Sequence, residues 1–457
     1  MKLRKEIFRE YDIRGIVDKD LTAETVNLLG KAMGTYFRNR NGREVALGED
    51  CRLSSPLFAE ALSKGLLATG CSVTHLGTIP TPLLYFTMHQ KQMDAGVMIT
   101  GSHNPPEYNG FKMMVGKDTL YGESIQEIFD IAESGRFIRE EGGTTRRYEV
   151  IPEYHRWVVT HISLPRKLKV VVDAGNGTGG VVAVPIFRDL GCEVIPLYCE
   201  MDGNFPNHHP DPTMPEALED LIAGVEETKA DLGIAYDGDS DRIGIVNDKG
   251  DIIWGDTLMI LFSRDILPQN PGAAVISEVK ASKLLYDEIE RLGGRPIMWK
   301  TGHSLIKKKI KEENALLAGE MSGHIFFADR FFGFDDAIYA SARVLEILSR
   351  TGKKLSSLLS DLPRTYNTPE IRIYASDEVK FKIVQGVKES LAARLPVIDI
   401  DGVRALYPHG WALVRASNTQ GALVLRFEAE SEEELHAIKK EVEQTIESVI
   451  ENLNSSA

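Results

Sequence analysis

Residues 94–114 read DAGVMITGSHNPPEYNGFKMM, and two later stretches repeat their plan: ADLGIAYDGDSDRIGIV at 230–246 and NALLAGEMSGHIFF at 314–327. Each begins with a strand-like run of small and apolar residues, continues through a polar loop and ends in a second apolar run. A unit that recurs three times at domain-length intervals predicts three related α/β domains. We expect their polar loops to converge on one site, as loops at the ends of buried strands do.

Strand-like runs alternate with helix-period segments through the first three quarters of the chain. The runs at 44–48, 167–173 and 273–276 are each followed by a polar or glycine-bearing loop and then by a helical pattern. This βα alternation is typical of a mostly parallel sheet.

The last segment has a different pattern. Strand signals cluster at 370–374, 411–414 and 422–427. A helix is predicted to open at Ser431, because Glu434 follows three residues later as in a capping box. Apolar residues then recur at spacings of three and four, which predicts a helix that packs on a sheet: Leu435, Ile438, Val442, Ile446, Val449 and Leu453.

Turn-rich, polar breaks at 140–145, 247–251 and 362–365 divide the chain. The predicted fold class is α/β: three related mixed α/β domains followed by a smaller α+β C-terminal domain, with loops that converge on a central cleft. The predicted domains are 1–146 with the loop around Ser102, 147–250 with the loop around Asp239, 251–363 with the loop around Glu320, and 364–457 with the loop around Arg415.

Composition limits the classes of function. The 457 residues are 43% hydrophobic and 26% charged, with a formal net charge of −14. This charge argues against a general nucleic-acid or membrane-surface binder, so an anionic ligand would need a local basic pocket. The sequence contains no run of about 18 apolar residues, so we expect no membrane span. The N-terminus is charged and does not resemble a signal peptide. We expect a cytoplasmic monomer or weak homo-oligomer whose partner is a small molecule.

The four cysteines show neither metal-ligand nor disulfide spacing, and we expect them to be reduced thiols.

The first polar loop, 100–106, places Ser102 among glycine, asparagine and two prolines. A tight turn alone would explain these residue types. The other interpretation is that a stiff loop presents an exposed Ser102 to a partner group. The serine-hydrolase elbow G-x-S-x-G is absent, because Thr100 and Asn104 occupy the glycine positions.

The second loop brings three carboxylates together, with Asp237, Asp239 and Asp241 at alternate positions. Hard cations such as Mg²⁺ and Ca²⁺ prefer oxygen ligands, and three such carboxylates would repel one another without a cation. An EF-hand calcium loop is excluded, because Arg242 stands where the turn needs glycine and Asp248 where a glutamate is needed. Strand-like flanks also differ from EF-hand helices. The pattern predicts a divalent-metal site, and the adjacent arginine suits a phosphate that shares the metal.

The third loop offers Glu320, Ser322 and His324 at every second residue. In an extended loop these side chains would point the same way. Glu320 could then bind neighbouring sugar hydroxyls while His324 moves protons. A glycine-flanked polar turn with a structural histidine explains the residues equally simply.

The C-terminal loop 415–421 joins two strand signals. Arg415 offers a planar fork of donors to a phosphate, with hydroxyl and amide side chains beside it. A plain hairpin turn is the alternative. Further basic residues stand near turns, where most such residues are simply solvated: Arg14, Lys112, Lys280, Lys300 and His303. The run Lys307–Lys309 predicts an exposed helix face with no role in a site.

Taken together, these loops resemble the α-D-phosphohexomutase superfamily, most closely its bacterial phosphomannomutase/phosphoglucomutase branch. The shared motifs run in order along nearly the whole chain: FREYDIRG (8–15), TGSHNPPEYNGFK (100–112), DGNFPNHHPDP (202–212), DGDSDR (237–242), WKTGHS (299–304), GEMSGH (319–324) and RASNT (415–419). One departure follows RASNT, where Gln420-Gly421 replaces the residue-proline pair that is more usual in the family.

The resemblance implies roles for individual residues. The phosphorylated catalytic serine would be Ser102, and Mg²⁺ would be held by its phosphate and by Asp237, Asp239 and Asp241. Arg14 and Lys112 would flank the transferring phosphoryl group, with Lys112 and His324 as acid/base candidates and His303 beside them. The implied substrate-binding residues are Tyr11, Arg242, Lys280, Gly302, Glu320, Ser322, Arg415, Ser417, Asn418 and Thr419.

The implied activity is interconversion of hexose 6-phosphate and hexose 1-phosphate, with mannose and/or glucose as the sugar. It would proceed through a phosphoserine and a 1,6-bisphosphosugar that reorients and also acts as activator. A fourth domain hinged near Pro363 would close over the site. Alternatives are a phosphoglucosamine mutase, which Met321 in GEMSGH disfavours, a metal-dependent sugar phosphatase, and a sugar-phosphate-binding regulator without turnover.

Overall fold

The computed structural model describes residues 3–417 and 421–455, and Asn418 and Thr419, two of the residues implied to bind substrate, lie outside it. Four mixed or antiparallel sheets, packed with helices, confirm the predicted α/β fold class. Short 3-10 turns occur at Lys5–Ile7, Pro215–Leu218 and Leu267–Gln269. The four cysteines are free. Across the described ranges, no helix combines the length and apolar character needed to cross a bilayer.

The first sheet contains strands β1 (Ile13–Ile16), β2 (Glu44–Glu49), β3 (Ser72–Thr78), β4 (Ala95–Ile99), β5 (Tyr108–Val115), β6 (Asp118–Thr119) and β7 (Thr145–Arg147). Its helices are α1 (Ala23–Arg38), α2 (Ser55–Leu67), α3 (Thr81–Gln90) and α4 (Glu123–Ser134). The strand order is β1-β5-β4-β2-β3-β7, with β6 beside β5. β5 runs antiparallel to its neighbours β4 and β1.

The second sheet contains β8 (Lys169–Asp173), β9 (Glu193–Leu197), β10 (Leu232–Tyr236), β11 (Ile243–Val246) and β12 (Ile252–Ile253), in the order β12-β11-β10-β8-β9. Its helices are α5 (Ile151–His161), α6 (Gly180–Asp189) and α7 (Glu219–Thr228).

The third sheet contains β13 (Ala274–Glu278), β14 (Arg295–Trp299), β15 (Leu317–Gly319) and β16 (Ile325–Phe327), in the order β14-β13-β15-β16. Its helices are α8 (Gly255–Ile266), α9 (Lys283–Arg291), α10 (His303–Glu313), α11 (Ala337–Thr351) and α12 (Leu355–Leu358).

The three sheets share one core topology. The orders β3-β2-β4-β5, β9-β8-β10-β11 and β14-β13-β15-β16 each place two parallel pairs before one antiparallel pair. The three repeated sequence stretches coincide with that antiparallel pair and its loop. The predicted repeat is therefore confirmed, and its polar loops occupy equivalent positions in the three sheets.

The C-terminal sheet is antiparallel and contains β17 (Tyr366–Asn367), β18 (Ile371–Tyr374), β19 (Val397–Ile398), β20 (Val403–Tyr407), β21 (Gly410–Ala416) and β22 (Ala422–Ala429). Two helices cover it, α13 (Lys380–Ala392) and α14 (Glu432–Ser455). At the start of α14 the Ser431 hydroxyl accepts from the Glu434 amide at 3.2 Å and donates to its carboxylate at 3.0 Å. The predicted apolar stripe of α14 packs into this core.

Apolar contacts join the first three sheets into one body. α3 of the first sheet contributes Tyr85 and Phe86 to a hydrophobic core that also includes residues of the second and third sheets. The C-terminal sheet keeps a core of its own. A small apolar cluster connects it to the third sheet: the buried Val279, Trp411 and Leu413, with the partly buried Met298, Ile400 and Leu406 packed against them.

Candidate active site

Ser102 lies on the loop between β4 and β5 and points toward the second sheet. Its residue is 2% exposed, so the expectation of an exposed serine is wrong. The Ser102 hydroxyl donates to Oδ2 of Asp237 at 2.8 Å and lies 3.1 Å from Nδ1 of His103. The loop therefore presents the serine to the acidic loop of the next domain rather than to solvent.

The backbone of this loop is unusual at Ser102, whose φ of 48° falls in the left-handed region. Its amide donates to Oγ1 of Thr100 at 2.8 Å. Gly101 is required beside it, because a Cβ atom there would lie 2.4 Å from Nε of Arg52.

Arg52 and Asp50 hold the serine loop, and the sequence analysis did not identify either residue. The buried guanidinium of Arg52 donates to four carbonyl oxygens of the loop: those of Ser102, Asn104, Pro105 and Tyr108. Asp50 accepts from Nε of Arg52 at 3.2 Å and from the Gly101 amide at 3.1 Å. Their position directly after β2, the parallel neighbour of β4, is the sequence feature that could have pointed to them.

The three aspartates of the second loop are fully buried and bring carboxylate oxygens within 4.8 Å of one another. Nζ of Lys112, on β5, lies 2.7 Å from Oδ2 of Asp239 and also contacts Asp241. Thr81, at the start of α3, donates to Asp239 at 2.5 Å. Oδ1 of Asp239 and Oδ1 of Asp241 have no hydrogen-bond partner in the described part of the chain. Such a buried oxygen donor set fits a hard divalent cation.

Charge in this cluster is unbalanced. Burial raises the pKa of Asp237 well above its usual range, and the charges of Asp239 and Asp241 raise it further. Burial alone would lower the pKa of Lys112, but Asp239 and Asp241 raise it above its ordinary value. The single ammonium of Lys112 faces three carboxylates, so a cation would relieve their repulsion.

The third loop is a closed turn, so the expectation of an extended loop is wrong. The Glu320 amide donates to the His324 carbonyl at 2.9 Å, and the Gly323 amide donates to the Glu320 carbonyl at 3.0 Å. Oε1 of Glu320 accepts from the Gly302 amide at 2.8 Å. Ser322 is half-buried at the tip of the turn.

His324 connects the second and third loops. Its Nε2 accepts from Nε of Arg242 at 3.0 Å, and its Nδ1 lies 3.1 Å from Oδ2 of Asp335. The His303 ring stacks against it, with 5.5 Å between centroids. Burial lowers the pKa of His303 well below its usual range, and the charge of Lys307 adds to this effect, so His303 is neutral at neutral pH.

Lys307 lies in the site, contrary to the prediction of an exposed helix face. The residue is buried, and its Nζ lies 2.8 Å from Oδ1 of Asp335. His303 and Lys307 are four residues apart on α10 and share a helix face, a spacing that could have revealed both. Asp335 also groups with Asp241 and His324 closely enough to hold a metal ion, but Lys307 already supplies a cation there.

Residues of the first domain border the serine loop and the third domain. Arg14, on β1, binds Oδ2 of Asp12 at 2.5 Å and Oδ1 of Asn104 at 3.0 Å, and so lies against the serine loop. The Tyr11 hydroxyl donates to the Thr301 carbonyl at 2.8 Å.

Basic residues mark the far end of the site. Lys280, in the turn after β13, lies 3.4 Å from Glu278 and 3.2 Å from Glu370. Arg415, on β21, contacts Oδ2 of Asp401 through Nε and Nη2, both at 3.0 Å.

Asp401 joins this end of the site to the third domain. The same Oδ2 that faces Arg415 accepts from the Thr301 amide at 3.1 Å. The carbonyl of Ser417, the next predicted residue of the C-terminal loop, accepts from Lys380 at 2.6 Å.

Seven of the sequence-predicted residues thus lie along one chain of contacts that links all four domains. From one end to the other, the contacts run through Ser102, Asp237, Arg242, His324, Glu320, Gly302, Thr301, Asp401 and Arg415. A buried hydroxyl and an acidic cluster stand at one end, and paired basic residues stand at the other. This arrangement can handle a ligand that carries phosphate and polar groups at both ends.

Family models match along almost the whole chain. Three alpha/beta/alpha domains of phosphoglucomutase/phosphomannomutase match at residues 5–139, 153–250 and 254–366, and the C-terminal domain of the same proteins matches at 370–445.

Individual proteins agree with these models. A phosphomannomutase/phosphoglucomutase of Pseudomonas putida is 50% identical over 438 residues, which cover 96% of this chain and 94% of the relative. A phosphoglucomutase of Neisseria gonorrhoeae is 45% identical, with 98% of each chain covered. A crystal structure of a phosphoglucomutase/phosphomannomutase family protein from Burkholderia thailandensis superposes with a TM-score of 0.92 at 42% identity, covering 98% of both chains.

Proposed function

The chain belongs to the phosphoglucomutase/phosphomannomutase family, and we propose that it is a hexose-phosphate mutase with Ser102 as its phosphoryl carrier. It moves a phosphoryl group between O1 and O6 of mannose and/or glucose phosphates. The observation that carries this proposal is the Ser102 hydroxyl, buried 2.8 Å from a carboxylate of the aspartate trio. A serine that served only to form a surface turn would not need to be buried against the acidic loop of another domain.

Two transfers account for the net reaction. O1 and O6 stand at opposite ends of a hexose, so one rigid pose cannot exchange a phosphoryl group between them. In the first transfer the Oγ–P bond of phosphorylated Ser102 breaks as a P–O bond to the free sugar hydroxyl forms, and the hydroxyl proton passes to a base. The departing Oγ takes up a proton. The 1,6-bisphosphosugar then reorients, and in the second transfer its other P–O bond breaks as a P–O bond to Oγ of Ser102 forms; the Ser102 proton is removed and the departing sugar oxygen is protonated. Such transfer depends mainly on positioning and electrostatics.

Asp237, Asp239 and Asp241 would hold Mg²⁺, since their donor set is entirely carboxylate and wholly buried. When bound, Mg²⁺ neutralises phosphoryl charge.

We propose that Lys112 and His324 share the proton transfers, with Lys112 as the protonated group, because Asp239 and Asp241 raise its pKa. Lys112 contacts Asp239, whereas Ser102 contacts Asp237 of the same aspartate trio, and both residues are buried. His324 faces the acidic loop through Arg242. Arg14 fixes the serine loop through Asn104, and the neutral His303 packs against His324.

The far end would hold the rest of the substrate. Glu320 can accept hydrogen bonds from neighbouring sugar hydroxyls, whereas Arg415 and Lys280 supply positive charge for the distal phosphate. Tyr11, Gly302, Ser322 and the C-terminal loop complete this end, and we propose that the C-terminal domain excludes water over the bisphosphosugar.

A mutase assay with the 1-phosphates of mannose, glucose and glucosamine, and trace bisphosphate, tests the function. We expect Ser102→Ala to reduce kcat by about three orders of magnitude or more, and mass spectrometry to find phosphate on Ser102 of the wild type. Ser134→Ala, at the exposed end of α4, is the control. Near-normal turnover of Ser102→Ala, or free phosphate in excess of isomer, would contradict the proposal, and preference for the glucosamine compound would favour the alternative mutase.

Metal dependence is tested separately. Asp239→Asn removes one charge from the proposed ligand set, so we expect the Mg²⁺ concentration for half-maximal activity to rise by about tenfold or more. Asp118→Asn, which changes an exposed carboxylate, is the control. An unchanged metal response would remove this loop from the metal site.

A further inference from the structure

An arginine of the C-terminal domain hydrogen-bonds to the turn that carries Lys280. Nη1 of Arg404, on β20 of the C-terminal sheet, donates to the Val279 carbonyl at 2.7 Å and to the Ala281 carbonyl at 2.8 Å. These two carbonyls flank Lys280. Arg404 is 2% exposed, so its charge has been removed from water at a cost that its contacts must offset.

A second arginine hydrogen-bonds to the carbonyl that lies between those of Val279 and Ala281. Nη1 of Arg426, on β22, donates to the Lys280 carbonyl at 2.7 Å. Three consecutive carbonyls of the third domain are therefore bound by two arginines of the C-terminal domain. Because these contacts are to main-chain atoms, they fix the conformation of the turn whatever side chains it bears.

The ring of Trp411 holds the guanidinium of Arg404 in place. The guanidinium carbon lies 3.7 Å from the centre of the buried Trp411 ring, a cation–π arrangement. The indole Nε1 in turn donates to Glu428 at 2.8 Å, and the same carboxylate oxygen accepts from the Lys283 amide at 3.1 Å. The ring is thus held from both domains, and a flat guanidinium suits it better than an ammonium would.

Within the third domain the turn is also held next to Lys280, where the Ser282 amide donates to Oδ2 of Asp256 at 3.0 Å. The Val279 amide donates to the Trp299 carbonyl and the Ala281 amide to the Glu278 carbonyl, both at 3.0 Å. The Lys280 side chain lies between carboxylates of both domains, Glu278 and Glu370. Through Glu370, the position of the Lys280 ammonium therefore depends in part on the C-terminal domain.

We propose that Arg404 is a positioning residue that fixes the 279–281 turn and so sets Lys280 for the sugar phosphate. Through it, docking of the C-terminal domain and placement of Lys280 become one event. This inference rests on the proposed function, in which Lys280 binds the substrate.

A double-mutant cycle between Arg404→Met and Lys280→Met tests the coupling. If Arg404 acts through Lys280, Arg404→Met raises KM for glucose 1-phosphate by about tenfold in the wild type and by less than about twofold in Lys280→Met. We expect kcat to change much less than KM. Equal effects in both backgrounds would overturn the inference, whereas an inactive wild type would overturn the proposed function instead.

Two further variants guard against a folding defect. Arg404→Lys keeps the charge but loses the flat fork, and we expect it to restore KM only in part; the same cycle is run with it if Arg404→Met does not fold. Arg394→Met is the control, since this half-exposed arginine of the C-terminal domain pairs only with groups of its own domain in the described contacts. Full recovery of KM by Arg404→Lys would show that charge alone is needed and would contradict positioning.

A readout without substrate completes the test. Hydrogen exchange of the full-length protein, followed on a peptide that spans residues 279–285, reports the turn directly. We expect faster exchange there in Arg404→Met than in wild type or Arg394→Met, with unchanged exchange in the serine loop. Unchanged exchange at 279–285 would overturn the inference even if KM rose.

Discussion

The junctions between the four domains are of two chemical kinds. The first three domains share a continuous apolar core, into which α3 inserts Tyr85 and Phe86. The C-terminal domain instead docks through buried arginines, main-chain carbonyls and a small apolar cluster. Apolar contacts are non-directional, whereas hydrogen bonds set angles and distances.

The difference matches the two ends of the site. Ser102 and the aspartates lie where the apolar junction holds the first and second domains together. Lys280 and Arg415 lie at the polar junction. Changes to the apolar side chains of the first junction should therefore affect folding, and changes at the polar junction should affect substrate binding.

The largest effect is expected from Phe86→Ala at the apolar junction. The buried Phe86 ring contacts the rings of Tyr154 in the second domain and Phe332 in the third. Loss of such a ring costs about 3–5 kcal/mol of unfolding free energy, measured by denaturant titration. Phe381→Ala, which truncates an exposed ring, should change it by about 0.5 kcal/mol or less. If Phe86→Ala and Phe381→Ala lowered the unfolding free energy equally, the ring contacts at this junction would not stabilise the fold as proposed.

A smaller effect, on binding, is expected at the polar junction. Asp401 joins the Thr301 amide to Arg415, and Asp401→Asn weakens both contacts. A hydrogen bond to a charged group is worth about 1.5–3 kcal/mol, so steady-state kinetics should show KM raised about tenfold or more. The unfolding free energy should fall by less than the loss of about 3–5 kcal/mol expected for Phe86→Ala. Asp399→Asn, which alters a nearby exposed carboxylate, should leave KM unchanged; a fall in kcat alone after Asp401→Asn would contradict this division.

The smallest effect concerns pH at the apolar junction. His89, at the end of α3, packs against Phe332 and Phe334. Burial lowers the pKa of its imidazole to about 4, with the charges of Lys117, Lys311 and Lys307 contributing. The unfolded chain, with an ordinary histidine pKa, takes up this proton first as pH falls. His89 therefore reduces stability progressively from about pH 6.5 down to about pH 4 and has no effect above that window.

Replacement of His89 isolates that contribution. In His89→Gln, the unfolding free energy should fall less steeply between these two pH values, as measured by urea titrations at several pH values. His436→Gln, on the exposed face of α14, is the matched control. An unaltered slope in His89→Gln would show that this imidazole is not held neutral.

Much of the fold could be predicted from the sequence because its signals are local. The strand–loop–strand repeat was visible in three stretches, and each proved to be the antiparallel pair of one sheet. The acidic loop and its bracketing strands, β10 and β11, were also readable. Residue types and periodicity suffice where neighbours in sequence are neighbours in space.

The missed residues depend on distant contacts. Arg52 looks like a surface residue until the loop about 50 residues later folds over it. Lys307 seems part of an exposed basic run until Asp335 is placed beside it. Arg404 gives no sign in sequence that its partners are carbonyls of another domain. Burial of a charge is decided by tertiary structure, which composition and spacing do not encode.

The left-handed backbone at Ser102 narrows the choice of carrier beyond its chemistry. Threonine bears an equivalent hydroxyl, yet a branched Cβ is poorly tolerated at a φ of 48°. The need for a hydroxyl oxygen and the need for a residue that tolerates this φ angle thus both favour serine at position 102. A conservative exchange by chemical similarity would be a disruptive one by conformation.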